Sequence, residues 1–321
     1  MAPGRYLKKN LFYYVILAPA VLVMAWLTLY PVIKVVGLSF YKYNFISDVK
    51  KFVGFGNFYQ LLHERLFQAA FFNTLGFSVI ATVFEVLLGI VLALLFEGHF
   101  AGKKTFMTIA IFPMMISTMV VCAVWKTMYH YDIGLFNYLL RSAGAKPVGW
   151  LIDQHRALFS VIIVDVWQWT PFAFLMTQAA MSSIPYETYE AAQIDGARYR
   201  QSVFYITLPI ISSQIMLVVM LRTIDTFKLF GKVYALTQGG PGNATETLSY
   251  FIYREGFSYF NLGRASTGSL LTLVVVVAIS LVYIRQILKG TDVIRSDFTQ
   301  GFISRCNFSP DDRIDRIEQQ F

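Results

Sequence analysis

Residues 190–197 read Glu-Ala-Ala-Gln-Ile-Asp-Gly-Ala, and residues 206–209 close the stretch with Ile-Thr-Leu-Pro. This polar segment lies between two long apolar runs of the chain. Residues up to Glu190 favour helix, and the two alanines that follow keep the helix surface small and flat. Gly196 is the predicted stop or bend, because glycine adopts a positive φ without penalty. The sequence therefore predicts a helix–glycine–helix elbow over residues 185–209, which suits docking on a partner better than chemistry.

The start of the elbow carries several helix signals. Ser182 and Ser183 are predicted to cap the first turn, where a side-chain oxygen accepts a hydrogen bond from a free backbone N–H. Pro185 suits the first helical turn, and Glu187 is placed at the positive end of the helix. A second short run follows the glycine, and Pro209 opens the next apolar run, where its missing N–H costs little.

The composition is that of a membrane protein. Of the 321 residues, 56% are hydrophobic and 14% are charged, and the mean hydropathy is +0.54. A soluble protein carries about 25% charged residues. Several uncharged apolar stretches reach the roughly 20 residues that cross a bilayer. The net charge of +8 is therefore interpreted against membrane topology, and no basic-aromatic cluster indicates nucleic-acid binding.

The apolar runs predict an all-α fold, a polytopic bundle of six transmembrane helices with the elbow between spans four and five. The predicted spans are about 11–39, 72–96, 106–129, 157–181, 209–235 and 265–287. The first run is too long for a cleaved signal peptide and is predicted to be an uncleaved span. We expect a transmembrane domain at 1–289 and a polar tail at 290–321.

Short motifs outside the elbow point to one kind of protein. Gly-Phe-Gly-Asn-Phe lies at 54–58, Asn-Thr-Leu at 73–75, Thr-Gln-Gly-Gly-Pro at 237–241 and Thr-Glu-Thr-Leu at 245–248. The elbow resembles the EAA loop of ABC-importer permeases at Glu190, Ala191, Ala192, Asp195, Gly196, Ala197, Phe204, Ile206, Leu208 and Pro209. Taken together, the motifs resemble the carbohydrate-uptake, maltose-importer-like family of these permeases, and the alginate-oligosaccharide importer is one type considered.

The resemblance implies a non-catalytic subunit of an ATP-hydrolysing transport complex. Its expected partners are a second homologous permease, two ATP-binding subunits that bind ATP and Mg, and an extracytoplasmic solute-binding protein. The expected location is the bacterial inner membrane, with both termini cytoplasmic; the basic residues divide equally between the two sides and do not decide the orientation. The residues expected to couple the chain to the ATPase are Glu190, Ala191, Ala192, Asp195 and Gly196.

Polar residues near the middle of predicted spans four and five are candidates for the substrate path. A charged side chain in the hydrocarbon layer is costly, which makes each one a functional candidate. The alternative is an intramembrane ion pair, such as Asp165 with Arg222, that only holds helices together. The candidates are Asp165, Gln168, Trp169, Arg222, Asp225 and Thr226.

Other charged residues in the predicted spans leave two interpretations open. Lys126, Lys228, Lys232 and Arg264 lie toward the predicted outer ends of spans. They either extend to the lipid headgroups or line the entry for an anionic sugar of the alginate kind. Glu85 is predicted to lie mid-span, and the sequence offers no obvious partner for it.

Several functions lack their motifs. No Gly-x-x-x-x-Gly-Lys-[Ser/Thr] phosphate loop occurs, so the chain is not expected to hydrolyse ATP itself. No His/Cys set has the spacing of metal ligands, and neither a metal nor another cofactor is expected in this chain. The rivals are an ion-driven secondary transporter, which Asp165, Arg222 and Asp225 could serve, and a membrane-embedded enzyme, for which no convincing catalytic set is found.

Overall fold

Helices dominate the computed structural model, which describes residues 3–98 and 100–305. The first elements are α1 (Pro3–Ser39), β1 (Tyr41–Asn44), β2 (Val49–Phe52), α2 (Gly56–His63), α3 (Arg65–Leu95), α4 (Lys103–Met115), α5 (Thr118–Met128) and α6 (Leu135–Ser142). The later elements are α7 (Ala157–Ser182), α8 (Tyr186–Ile194), α9 (Tyr199–Ser202), α10 (Leu208–Ile210), α11 (Ser212–Phe227), α12 (Gly231–Leu236), α13 (Leu248–Tyr253) and α14 (Leu262–Arg305). Two π-helical turns, Val203–Thr207 and Arg254–Ser258, follow α9 and α13.

Within residues 3–98 and 100–305, four helical segments are long and apolar enough to cross a membrane. They are Tyr14–Ser39, Arg65–Leu95, Ala157–Ser182 and Leu262–Ile287. Two bent pairs also qualify when each is taken as one span: Lys103–Met115 with Thr118–Met128, bent by 97°, and Tyr199–Ile210 with Ser212–Phe227, bent by 64°. The predicted membrane-helix bundle is confirmed, and the predicted number of six spans is reached only if both bent pairs are counted.

One bend lies where the sequence predicted a continuous third span. Pro113 is inside α4, where it cannot donate a backbone hydrogen bond. The chain then becomes extended at Ser117, with φ −56° and ψ 134°, before α5 begins. A loss of helical hydrogen bonds and an extended residue together explain the sharp turn.

The all-α prediction needs one addition. Strands β1 and β2 form an antiparallel hairpin directly after α1, in the register Tyr41↔Phe52 to Asn44↔Val49. The side-chain amide of Asn57 donates to the carbonyl oxygens of Ser39 at 2.9 Å and Tyr41 at 2.8 Å. The motif at 54–58 therefore stabilises the junction between α1 and this hairpin.

The chain divides into two compact units, of which the first contains residues up to Ala81, Ile116–Asp165 and Asp225–Val276. One of its apolar clusters forms around Leu61, Phe67 and Phe251, and the rings of Phe67 and Phe251 meet edge to face at 5.4 Å. This aromatic geometry is the one that ring quadrupoles favour.

Two sequence motifs contact each other in the first unit. The Thr74 hydroxyl accepts a hydrogen bond from the backbone N–H of Leu248 at 2.9 Å. The Asn73 amide donates to the backbone carbonyl of Glu246 at 3.0 Å. The Asn-Thr-Leu motif at 73–75 therefore holds the Thr-Glu-Thr-Leu motif at 245–248 against the start of α3.

The second unit contains Thr82–Met115, Val166–Ile224 and the residues from Val277 onward. Helices α3 and α7 approach closely within it, because a Cβ on Gly89 would lie 2.6 Å from the Ala173 Cβ. Small residues permit this kind of close helix packing in membrane proteins. Helix α14 remains helical to Arg305, and residues 306–321 of the predicted tail lie outside the described residues.

Candidate functional site

The elbow ends its first helix in the way the sequence predicted. Gly196 adopts φ +78° immediately after α8. The backbone N–H of Ala197 donates to the Ala192 carbonyl at 2.9 Å, and that of Gly196 donates to the Gln193 carbonyl at 3.0 Å. These two bonds and a left-handed glycine define a Schellman motif. The chain therefore leaves α8 in a direction that this glycine sets.

The predicted caps of α8 are wrong. Ser182 is the last residue of α7, and its hydroxyl donates back to the Gln178 carbonyl at 2.9 Å. The Ser183 hydroxyl donates to the Ala180 carbonyl at 2.7 Å. Both serines thus bond to the preceding helical turn, a local alternative that competes with N-capping. Pro185 occupies the position before the first residue of α8 and makes no side-chain cap.

The elbow presents an exposed surface and a buried anchor. Glu190, Ala191 and Asp195 are exposed, and Ile194 is 87% exposed. Ala192 is buried, so its small side chain faces the rest of the protein. The hydroxyls of Tyr189 and Thr207 lie 3.1 Å apart and tie α8 to the π-helical turn that follows α9. The exposed side of α8 is therefore held on a fixed support.

A buried ion pair lies in the second unit. The Arg222 Nε donates to Glu85 Oε2 at 2.7 Å, and Nη2 donates to Oε1 at 3.0 Å. Arg222 is 2% exposed and Glu85 is fully buried. The two parallel bonds make this a bidentate pair, the geometry that a planar guanidinium favours with a carboxylate. The desolvated charges are thus compensated by each other.

Two other predicted residues lie in the same unit. The guanidinium carbon of Arg222 is 4.9 Å from the ring centroid of Trp169, within the range of a cation–π contact. Gln168 is buried one residue earlier on α7. The structure therefore brings Trp169 and Arg222 together and adds Glu85 to them, and the substrate path stays a prediction.

A second buried ion pair lies in the first unit, between Lys232 Nζ and Asp165 Oδ1. Both side chains are almost completely buried. Thr226 is also buried, and its hydroxyl lies 2.6 Å from the Ser78 hydroxyl. Asp225 is exposed, 3.9 Å from the ammonium of Lys228. Of the predicted residues in this unit, Asp165 and Thr226 are buried, and Asp225 is exposed.

A third charged pair joins Glu246, in the loop between α12 and α13, to Arg254, directly after α13. Arg254 Nη2 is 3.0 Å from Glu246 Oε1, although the two groups are not oriented for a hydrogen bond. Glu246 is fully buried. Burial raises the pKa of this carboxyl from 4.5 to about 7, and the nearby charge of Arg254 lowers it only in part. The protonated form is therefore favoured in the folded chain compared with the unfolded one.

This raised pKa predicts a pH-dependent stability. Since the folded pKa of Glu246 exceeds the unfolded value, its contribution to stability is present below pH 4.5 and is lost as the pH rises through about 7. We expect the melting temperature to fall between pH 5 and pH 8. Glu246→Gln, which cannot ionise, is expected to flatten this dependence in melting curves recorded at both pH values. An equal dependence in the two proteins would assign the effect to another group.

The comparison with protein families decides the class. Residues 85–288 match the family described as binding-protein-dependent transport system inner membrane component. The chain belongs to this family of ABC-importer permeases. The resemblance drawn from the elbow and the other motifs is confirmed, and the permease is a multi-pass protein of the inner membrane.

Named relatives narrow the family. The permease is 35% identical over 284 residues to the trehalose/maltose transport system permease protein MalF of Thermococcus litoralis. The match covers 88% of this chain and 95% of the relative. It is 31% identical to the sn-glycerol-3-phosphate transport system permease protein UgpA of Yersinia enterocolitica, over 85% of this chain and 92% of the relative. The permease is thus of the carbohydrate-uptake type.

A solved structure gives the same result. The crystal structure of a bacterial ABC transporter involved in the import of the acidic polysaccharide alginate contains a chain that matches the permease with a TM-score of 0.78. The two chains are 25% identical, and the match covers 89% of the permease and 98% of that chain. The helical fold of the permease is therefore the fold of this transporter family.

Three charges whose roles the sequence left open have partners in the structure. Glu85, for which the sequence offered no partner, pairs with Arg222 of the permease. Lys232 does not extend to the lipid headgroups, because it is buried against Asp165. Arg264 contacts Glu64 and Glu255, with its Nε 3.0 Å from Glu255 Oε2. Sequence spacing carries no signal for the pairs Glu85–Arg222 and Asp165–Lys232, whose members lie 137 and 67 residues apart.

Proposed function

We propose that this permease is one of two membrane subunits of an ATP-driven saccharide importer. It forms the translocation path with a second homologous permease. A solute-binding protein delivers the saccharide outside, and two ATP-binding subunits bind ATP and Mg on the cytoplasmic side. The elbow carries the proposal. Helix α8 packs on the rest of the chain through one side and leaves the other side exposed for contact with another protein.

The elbow is the surface through which the ATPase moves the permease. The residues exposed for contact are Glu190, Ala191, Asp195 and Gly196. The buried side chain of Ala192 packs α8 against the rest of the chain. Because the Schellman motif fixes the direction of α8, closure of the ATPase subunits is transmitted as rigid-body rotation of helices. An elbow that docks on the ATPase lies in the cytoplasm, and four spans before it and two after it would put both termini on the same side.

The substrate is a saccharide, in keeping with the relatives that transport trehalose and maltose. Alginate, an acidic saccharide, is the cargo of the similar solved transporter. Lys232 and Arg264 lend no support to an acidic cargo, because carboxylates already neutralise both of them. The path candidates remain Arg222 with Trp169 and Gln168 in one unit, and Asp165, Asp225 and Thr226 in the other.

The test is co-purification followed by measurement of ATP hydrolysis. We expect the tagged permease to retain a second permease and an ATPase, and the reconstituted complex to hydrolyse ATP faster when the binding protein and its saccharide are added. A panel of neutral and uronic-acid oligosaccharides identifies the cargo. Uptake by the chain alone, without ATP or a binding protein, would instead support the ion-driven transporter.

Glu190 gives a sharper test of the elbow. We expect Glu190→Ala to lower saccharide-stimulated ATP hydrolysis about ten-fold, equivalent to about 1.4 kcal/mol of docking energy. The reason is the loss of an ion pair between this exposed carboxylate and a basic residue of the ATPase. Glu187→Ala removes the same charge one turn earlier on α8 and serves as the matched control. Equal effects of the two substitutions would contradict a specific ion pair of Glu190 and assign the effect to the net charge of the surface.

A further inference from the structure

The β1–β2 hairpin (residues 41–52) lies at the end of two spanning helices. Helix α1 ends at Ser39, and β1 begins at Tyr41. The backbone N–H of Phe45 donates to the Phe260 carbonyl at 2.9 Å, just before the spanning helix α14 begins at Leu262. Since both spans terminate beside it, the hairpin lies at the level of a membrane surface, where the lipid headgroups are.

The two strands place like charges opposite each other. Lys42 pairs directly with Lys51 in the antiparallel register, and both side chains are exposed. Like charges at opposed positions destabilise a sheet. An anion held between the two ammonium groups removes this repulsion, so the pair has the chemistry of a phosphate-binding surface.

The third lysine of the hairpin is differently placed. Lys50 is the neighbour of Lys51 in β2, so its side chain lies on the opposite face of the hairpin. Its ammonium is 4.6 Å from the ring centroid of Tyr41 and makes a cation–π contact there. Lys50 therefore serves as a control for Lys51: it has the same charge and lies in the same strand, but its ammonium already contacts Tyr41.

The tip of the hairpin is apolar and exposed. Phe45 and Ile46 are 61% and 72% exposed, in a turn that also contains Asp48. The hairpin carries three lysines against this one aspartate. Apolar side chains beside lysines suit the boundary between the headgroups and the acyl chains. Exposing both tip side chains to water costs free energy, and placing them at this boundary removes that cost.

We propose that the hairpin binds an anionic phospholipid. The face formed by Lys42 and Lys51 holds the phosphate group, and the tip residues Phe45 and Ile46 enter the boundary of the acyl chains. The hairpin thereby fixes the ends of α1 and α14 against the membrane surface. This role is independent of the saccharide that the permease transports.

The test measures lipid retention by the full chain in nanodiscs containing equal amounts of phosphatidylglycerol and phosphatidylcholine. Native mass spectrometry gives the ratio of the two retained lipids. We expect the double variant K42Q/K51Q to lower the ratio of phosphatidylglycerol to phosphatidylcholine about 25-fold, since each lysine near an anionic surface contributes roughly a factor of five. We expect K50Q to leave the ratio close to that of the unchanged protein.

Fold and depth are controlled separately. Equal melting temperatures of the variants in phosphatidylcholine alone confirm that neither substitution unfolds the chain. The chain has five native tryptophans, so the signal is the difference between Phe45→Trp and the unchanged protein. We expect this added fluorescence to be quenched by lipids brominated on the acyl chain. Unchanged lipid ratios in K42Q/K51Q overturn the proposal, whether or not the same variant weakens the contact with an acidic protein partner. Absence of quenching overturns the insertion of the tip.

Discussion

Replacing Arg222 with alanine is expected to lower the free energy of unfolding by about 3–5 kcal/mol. The substitution leaves the Glu85 carboxylate buried without the two guanidinium hydrogen bonds that it accepts at 2.7 and 3.0 Å. A buried charge that loses its partner retains the cost of desolvation without the compensating attraction. Denaturant unfolding in mixed micelles, followed by circular dichroism, measures the change.

The chain offers a matched control in an exposed ion pair. Lys228 and Asp225 lie 3.9 Å apart, with side chains 67% and 57% exposed. Lys228→Ala is therefore expected to change the free energy by less than about 1 kcal/mol. The double substitution Glu85→Leu with Arg222→Met is expected to recover most of the stability that Arg222→Ala removes. Equal stability losses for Arg222→Ala and Lys228→Ala would contradict the structural importance of the buried pair.

Replacing Gly196 with leucine is expected to reduce saccharide-stimulated ATP hydrolysis by at least about ten-fold, because a left-handed conformation costs a leucine about 1–2 kcal/mol. Gly196 adopts φ +78°, and a Cβ built there meets no atom within 4 Å. The effect is therefore one of backbone conformation and not of a steric clash. The leucine variant relieves its strain by changing the direction of α8, which moves the exposed face away from the ATPase.

Asparagine separates conformation from side-chain size. Gly196→Asn adds a side chain of similar bulk, but asparagine tolerates the left-handed region better than leucine does. We expect the asparagine variant to retain most of the stimulated hydrolysis at equal expression in the membrane. Normal activity of the leucine variant would refute the mechanical role of the elbow. Equal losses in both variants would assign the effect to the added side chain.

The parts of the structure that the sequence predicted are local ones. The elbow depends on Gly196 and on two hydrogen bonds within residues 192–197. The membrane spans depend on runs of consecutive apolar residues, which are visible directly in the sequence. Neither requires knowledge of a distant partner, and both predictions were confirmed at the level of the fold and the motif.

The unpredicted parts depend on tertiary contacts or on weak local patterns. Glu85 and Arg222 are 137 residues apart, and Asp165 and Lys232 are 67 residues apart. The hairpin has strands of four residues that carry lysines on both faces, so it lacks the apolar alternation that indicates a strand. The serines before α8 could bond forward or backward, and only the structure distinguishes the two directions.

The contact between Thr74 and Leu248 has a consequence for the order of assembly during synthesis. The two residues are 174 positions apart, so the ribosome completes the first long before the second exists. The N-terminal part of α3 is therefore synthesised long before the segment that Asn73 and Thr74 contact in the folded chain. These contacts form only after residues 246–248 have been translated, and a chain arrested before Glu246 lacks both of them.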